Sequence, residues 1–377
     1  MNSHPKKTLF PLWALAVLFS GALACGGGGT GPPQVIQGTN PAQEAPASPT
    51  NTPMPTAIPP TATPPPIGLS RSIPYPLSDI VSAPNWDVQV VEVKRGEDAW
   101  KDIQAANMFN EPAPEGMEYL LVRLHVKSTY SDSDEHSISG CDFDMTGDRL
   151  IRYTCSMASV VEPDPELDAT LFSGGEAEGW AGFVVGQGEG NLILAVNESF
   201  NFDENTVRYI ALDQAASLSI PSDLAGITPT DLGTERSNPA PRSDRIVTED
   251  WIISVIDVIR GDVAWQMVQE ANQFNDPPPE GMEYIAAKIH ARYFGTEDTA
   301  VSIDGSFFST TGSANVIYDL PSVVDPEPSL DISLYPGGEY DGWVVLQAAK
   351  EEAGVMLIFE PLFDFTDENR RFISLEP

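Results

Sequence analysis

The stretch that decides the fold is Trp100–Tyr119, WKDIQAANMFNEPAPEGMEY, because the chain contains it twice. The second version, Trp265–Tyr284, reads WQMVQEANQFNDPPPEGMEY. The similarity continues without a gap from 71–128 against 236–293. Self-similarity at a fixed spacing is the signature of a duplicated structural unit. The sequence therefore predicts two tandem copies of one domain.

Within each copy, apolar residues alternate with a period of two, which predicts strands. Leu120, Val122, Leu124 and Val126 form one such face, expected to point into a core. The parity changes between Val90 and Val91, and again at the matching place in the second copy, which predicts a β-bulge. A short helix is expected after each bulged strand, in the first copy with Trp100, Ile103 and Ala106 on one face.

The number and spacing of the strands favour an all-β fold. Short strands separated by turns, in domains of this length, are typical of an antiparallel β-sandwich of the immunoglobulin type. We expect copy one at 71–213, a linker at 214–235 and copy two at 236–377. Small, proline and threonine residues in the linker predict a flexible joint between two independently folding units.

The N-terminus has the pattern of a secretion signal. Lys6 and Lys7 precede an apolar run, Leu9 to Phe19, that is too short to span a bilayer. Small residues then lead to Cys25, which resembles the lipoprotein box of bacteria. That resemblance implies a signal peptide at 1–24 and acylation of Cys25, which would anchor the protein without a membrane span. The competing interpretation is an ordinary signal peptidase site at Ala22-Leu23-Ala24.

The segment 25–70 is expected to be a disordered, proline- and threonine-rich linker behind the anchor. Its composition favours polyproline II and a semi-rigid stalk. The formal charge of the chain is −35 at pH 7. Such a surface repels nucleic acid, so we expect no nucleic-acid partner.

Two motifs recur in both copies: PEGMEY before an alternating strand, and GGExxGW, at Gly174–Trp180 and Gly337–Trp343, before a later strand. Together they resemble the telokin-like, immunoglobulin-like domain of unknown function found in bacterial lipoproteins. The resemblance covers nearly all of both copies. It implies the sandwich fold and brings no catalytic residues, and the helix at 100–107 is an insertion relative to a minimal sandwich.

No catalytic or cofactor-binding constellation is recognisable, so we expect no enzyme, no cofactor and no metal site. The chain lacks a G-x-S-x-G motif and a phosphate loop, and its four histidines are not clustered. Glu115, Glu118, Glu176 and Glu178 recur as acids in both copies, but acids at turns are usually solvated. Calcium stays an alternative use of these carboxylates, although no EF-hand spacing exists.

The candidate interaction loop is the segment after the short helix, where aromatic, amide and proline residues cluster outside the strands. Its candidate residues are Asn107, Phe109 and Asn110 in copy one and Asn272, Phe274 and Asn275 in copy two. A binding loop and a packed structural plug are both open at this point.

Cys141 and Cys155 lie on either side of Gly147, where a hairpin is expected to turn. Opposed positions in a hairpin are close enough for a disulfide, and an exported protein meets an oxidising environment. We expect the bond to form and to stabilise the fold by about 2–3 kcal/mol. Two buried free thiols are the alternative.

These observations predict an extracytoplasmic, lipid-anchored protein of the bacterial cell envelope that displays two immunoglobulin-like copies. Its expected function is non-catalytic interaction with an unidentified protein or glycan partner. The alternatives are a module that captures a small ligand, glycan or calcium and, less in keeping with the residues, an enzyme.

Overall fold

The computed structural model describes residues 66–197, 206–361 and 368–376. The signal peptide, Cys25 and the stalk as far as residue 65 lie outside the described residues, so their assignments stay predictions. The described chain consists mainly of antiparallel strands with a few short helices, which confirms the all-β fold class.

The elements of copy one, in chain order, are β1 (Val81–Ser82), β2 (Trp86–Arg95), α1 (Glu97–Ala106), β3 (Met117–Ser128), β4 (His136–Ser139), β5 (Phe143–Thr146), β6 (Ile151–Arg152), α2 (Cys155–Ala158), β7 (Asp168–Leu171), β8 (Glu176–Gly186), β9 (Ile193–Val196) and β10 (Arg208–Ala211). Those of copy two are β11 (Ile246–Val247), β12 (Trp251–Arg260), α3 (Asp262–Ala271), β13 (Met282–Tyr293), β14 (Val301–Ile303), β15 (Phe308–Thr311), β16 (Ile317–Tyr318), β17 (Ile332–Leu334), β18 (Glu339–Ala349), β19 (Met356–Phe359) and β20 (Arg371–Ser374).

Two sheets enclose the core of each copy. In copy one, a sheet of order β1-β2-β3-β8 is accompanied by a sheet of order β10-β9-β5. In copy two the corresponding orders are β11-β12-β13-β18 and β16-β15-β19-β20. The alternating face of β3 is fully buried, as expected, from Leu120 to Val126. Both bulges are present as register shifts, between Val90 and Glu92 and between Val255 and Asp257.

Helix α1 covers the outer face of the first sheet. Ala99 and Ile103 pack against Tyr119, Leu121 and Trp180, so this sheet is buried on both sides. Ala106 is exposed, and its predicted place on the apolar face was wrong because the helix ends there. Helix α3 repeats the arrangement with Ala264 and Val268 against Tyr284.

The two copies are joined by a shared sheet. Strand β6 of copy one pairs with β17 of copy two, which gives a three-stranded sheet of order β14-β17-β6. Arg71 lies beneath this junction, fully buried, where its guanidinium pairs with Asp298 and stacks 3.6 Å from the ring centroid of Tyr335. The described residues of both copies belong to one compact unit.

The linker 214–235 is partly packed, which differs from the flexible joint that its composition predicted. Leu218 is buried with Ile193 and Ala211 of copy one, and its N–H donates to the Arg71 carbonyl at 2.9 Å. Leu224 is buried with a different group, which includes Val247 of copy two. A few apolar side chains therefore hold the linker on both copies, although small and polar residues surround them.

Candidate interaction site

The loop after α1 displays an aromatic ring. The helix ends at Ala106, and the Asn107 side-chain oxygen accepts a hydrogen bond from the Phe109 N–H at 3.0 Å. This local turn directs the Phe109 side chain away from the core. Phe109 is 82% exposed and its neighbour Met108 is 81% exposed. A large apolar side chain with that exposure is not part of a packed plug.

Asn110 fixes the loop to the rest of copy one. Its amide nitrogen donates to the Ile103 carbonyl at 2.8 Å and to the Val161 carbonyl at 2.9 Å. Its oxygen accepts from the Val161 N–H at 3.0 Å. The side chain therefore bridges the end of α1 and the segment after α2. Such a bridge lowers the entropy that the loop would lose on binding a ligand.

Copy two repeats this arrangement. Asn272 accepts from the Phe274 N–H at 2.9 Å, and Phe274 is 84% exposed. Asn275 donates to the Val268 carbonyl at 2.7 Å and the Val324 carbonyl at 2.9 Å, and it accepts from the Val324 N–H at 2.8 Å. The four asparagines thus position the loops, and the two phenylalanines are the groups presented to solvent.

We call these surfaces the aromatic tips. The first tip comprises Met108, Phe109 and Val161, and the second comprises Phe274 and Val324. Val161 and Val324, which the sequence did not single out, are 48% and 49% exposed beside the clamping asparagines. Their recurrence at matching places could have signalled them, but only the fold brings them to the asparagines that follow the phenylalanines in sequence.

Three of the four recurring acids of copy one, Glu118, Glu176 and Glu178, form ion pairs. Arg95 donates from Nε to Glu118 Oε1 at 2.7 Å, and Arg260 makes the same contact with Glu283 at 2.9 Å. Glu178 pairs with Arg123 at 2.7 Å, and Glu176 with Lys127 at 3.0 Å. The Lys127 ammonium lowers the pKa of Glu176. These contacts give the acids a role in joining strands.

The structure reveals a buried carboxylate in each copy that the sequence did not indicate. Glu189 accepts from the Tyr153 hydroxyl at 2.7 Å and the Arg149 N–H at 2.9 Å. Glu352 accepts from the Tyr318 hydroxyl at 2.6 Å and the Ala314 N–H at 2.9 Å. Burial opposes ionisation of Glu352, but these donors outweigh it and hold its pKa below the usual value.

The buried glutamates explain a glycine in each hairpin. A Cβ at Gly147 would lie 2.6 Å from Glu189 Oε1, and one at Gly312 would lie 2.5 Å from Glu352 Oε1. An added Cβ would push the glutamate out of its hydrogen bonds, so glycine suits both positions. Because Tyr153 and Tyr318 make the same bond, they are matching positions of the two copies.

The histidines at matching places of β3 and β13 pair with acids of the neighbouring strands β8 and β18. His125 Nε2 lies 3.5 Å from Glu176, and His290 Nδ1 lies 2.7 Å from Asp341 Oδ1. Among the residues that the structure describes, no group of three or more histidine, cysteine or acidic side chains is arranged to hold a metal ion.

Cys141 and Cys155 are joined by a disulfide, with their Cα atoms 5.1 Å apart. The hairpin between them pairs Met145 with Tyr153, close to the expected turn. The cysteines themselves lie beyond its strands, Cys141 in a 3-10 turn and Cys155 at the start of α2. The bond therefore connects two helical turns, whereas the sequence had suggested a cross-strand pair.

Comparison with known proteins gives distant structural neighbours. No family model matches the chain, and no curated protein matches it. A Bacillus subtilis protein described as a "putative lipoprotein (ycdA)" has 15% identity and a TM-score of 0.27, covering 35% of this chain and 38% of its own. The chain thus spans well under half the length of that neighbour.

Two further neighbours match over most of their own length. The yjhA protein of Bacillus subtilis has 13% identity and a TM-score of 0.24, covering 37% of this chain and 99% of its own. An uncharacterized beta-sandwich protein of Clostridium difficile 630 has 9% identity and a TM-score of 0.23, covering 37% of this chain and 95% of its own. Similarity at this level carries no argument about function.

In the described part of the chain, no helix is long and apolar enough to cross a membrane.

Proposed function

We propose that this chain is an acyl-anchored, extracytoplasmic lipoprotein whose two sandwich copies are non-catalytic binding modules. The observation that carries the proposal is the aromatic tip, which occurs in both copies on the same asparagine clamp. Grouped exposed apolar side chains lower solubility and mark interaction sites, and each tip has an exposed phenylalanine and an exposed valine. The partner is a protein or glycan with a surface that accepts an aromatic ring.

The lipid anchor follows from the signal pattern that ends at Cys25. Expression of the Cys25→Ser chain in a bacterial host, followed by fractionation, tests this part. We expect the variant to leave the membrane fraction and the unmodified chain to stay in it. Equal partitioning of the two chains would reject the lipid anchor and would leave the proposed binding by the aromatic tips untouched.

The binding function is tested on glycan and peptide arrays with the Cys25→Ser chain. We expect binding that is lost when Phe109→Ala and Phe274→Ala are combined. Ile80→Ala is the matched control, because Ile80 is 65% exposed but belongs to neither tip. Undiminished binding by the double variant would show that the tips are not the site.

A further inference from the structure

The junction between the copies pairs one strand of copy one with one strand of copy two. It has a donor side, strand β6 with the preceding Leu150, and an acceptor side, strand β17 with the following Tyr335. Arg152 lies opposite Ser333 and Ile151 opposite Leu334, and the Tyr335 N–H donates to the Leu150 carbonyl at 2.8 Å. The apolar groups are covered here, with Ile151 4% and Tyr335 5% exposed.

Because the domain is duplicated, copy two has a donor strand of its own. The match of Tyr153 with Tyr318 makes Val316 and Ile317 of copy two equivalent to Ile151 and Arg152. Strand β16 lies at the edge of its sheet. Val316 is 47% exposed and Ile317 is 64% exposed. The strand that copy one buries in the junction is therefore left uncovered in copy two.

Copy one likewise has an acceptor strand of its own. Phe172 precedes Gly174-Gly175 as Tyr335 precedes Gly337-Gly338, and both aromatic carbonyls accept from the second glycine N–H. Strand β7 is thus equivalent to β17. Within the part of the chain that the structure describes, β7 pairs with β4 alone. Phe172 is 61% exposed where Tyr335 is buried.

The two uncovered surfaces carry opposite charges, like the two sides of the junction. In the junction, Arg71 of copy one meets Asp298 of copy two. Its counterpart Arg236 donates to Asn315 Oδ1 at 2.8 Å, immediately beside the donor strand of copy two. The loop of copy one that corresponds to the Asp298 loop carries three acids, Asp132, Asp134 and Glu135. If two molecules met as the two copies do in the junction, Arg236 of one would approach these acids of the other.

We propose that this protein associates head to tail with a second copy of itself, through β16 of one molecule and β7 of the next. The register follows from the junction. Ile317 lies opposite Thr170 and Val316 opposite Leu171, and the Phe172 N–H donates to the Asn315 carbonyl. Edge strands with exposed apolar side chains are templates for strand addition. Such a contact is heterologous, so it produces rings or open chains of molecules.

The test measures mass by sedimentation velocity on the full chain carrying Cys25→Ser, so that acyl groups do not contribute. A short linker supplies an effective concentration of the order of 1 mM within the chain, so the series extends to about 1 mM. We expect the average mass to rise with concentration. Phe172→Asp removes the acceptor and Ile317→Asp removes the donor, so each variant alone stays monomeric. Val263→Asp, at a residue 57% exposed on α3, is the control and associates normally.

Mixing the two variants tests whether the contact is head to tail. Each variant retains the strand that the other lacks, so an equimolar mixture forms dimers and nothing larger. Dimers absent from the mixture, association of Ile317→Asp alone, or an unmodified chain that stays monomeric throughout would each overturn the proposal. If an aspartate variant unfolds, a mixture of Thr170→Cys and Ile317→Cys replaces it. That pair forms a disulfide-linked heterodimer, whereas Thr170→Cys with Val263→Cys does not.

Discussion

At the scale of single residues, burial changes the ionisation of one carboxyl group in each copy. Asp325 and Glu162 occupy matching places, in the acidic proline segments beside β18 and β8. Burial raises the pKa of both, that of Asp325 to about 6. The Val345 N–H donates to Asp325 Oδ1 at 2.9 Å, so the carboxyl serves an edge strand. A neutral side chain with the same oxygen would serve it as well.

We therefore predict that Asp325→Asn stabilises the protein at neutral pH. The folded pKa of about 6 lies above the unfolded value of about 3.9, so the protonated form favours folding. The contribution of the protonated Asp325 to stability is fully present below the unfolded pKa and is lost as pH rises through about 6. Thermal unfolding should show a higher Tm for the variant at pH 7.5 and little difference near pH 4.

The control for this prediction is Glu280→Gln, which removes the charge of an exposed carboxyl. It should leave the Tm nearly unchanged at both pH values. A Tm of Asp325→Asn below that of the unmodified chain at pH 7.5 would show that the ionised form is needed.

At the same scale, features that depend on residues close in sequence could be predicted. Contacts between residues far apart in sequence could not. The inward face of β3 follows from alternation and is confirmed. The bond from Tyr153 to Glu189 joins residues from different turns, and nothing near either residue signals it. Phe109 was identified as a loop residue, but the clamp that fixes its loop joins Asn110 to Val161, 51 positions away in the chain.

Among the elements, the loop that ends α1 and the loop that ends α3 are the ones on which the proposed binding depends. Each is held by one asparagine that makes three hydrogen bonds to two separate segments. The sequence predicted the helix and its proline stop. It did not predict the bond to Val161, because that residue is brought close only by the packing of α2 and the segment after it.

We predict that Asn110→Ala loosens the first tip and leaves the sandwich folded. A partly buried hydrogen bond contributes about 1 kcal/mol, so losing three should lower the free energy of unfolding by about 1–3 kcal/mol. Hydrogen exchange should become faster at Phe109 and Val161 and stay unchanged at Phe274 and Val324. The matched variant Asn275→Ala should show the reverse. Equal acceleration in both copies would contradict the local role of the clamp.

At the scale of the whole molecule, the described residues form two copies held together by the junction and the packed linker. The repeated motifs predict the duplication and its boundaries, and the all-β class that the strand pattern predicted is confirmed. The junction could not be predicted, because strands as short as β6 and β17 have no recognisable period. Arg71 is buried at the junction, but from the sequence alone it would be interpreted as an ordinary surface charge.

We predict that limited proteolysis removes residues 26–65 and leaves one fragment that contains both copies. Composition alone would also place early cuts at 214–235, but Leu218 and Leu224 are buried there. Tyr335→Ala should open the junction and make the linker cleavable, as judged by mass spectrometry of the fragments. Tyr318→Ala, which removes a tyrosine outside the junction, is the control. Early cutting of the unmodified linker would favour independent units.

The most direct test of the account is the affinity of the Cys25→Ser chain for an immobilised array ligand, measured with each tip altered singly and together. Truncating a central aromatic anchor costs about 2 kcal/mol or more, and linked sites reinforce each other. We expect Phe109→Ala and Phe274→Ala each to weaken binding at least about 10-fold and the double variant to abolish it. Binding by the double variant equal to that of the Ile80→Ala control would contradict the central claim.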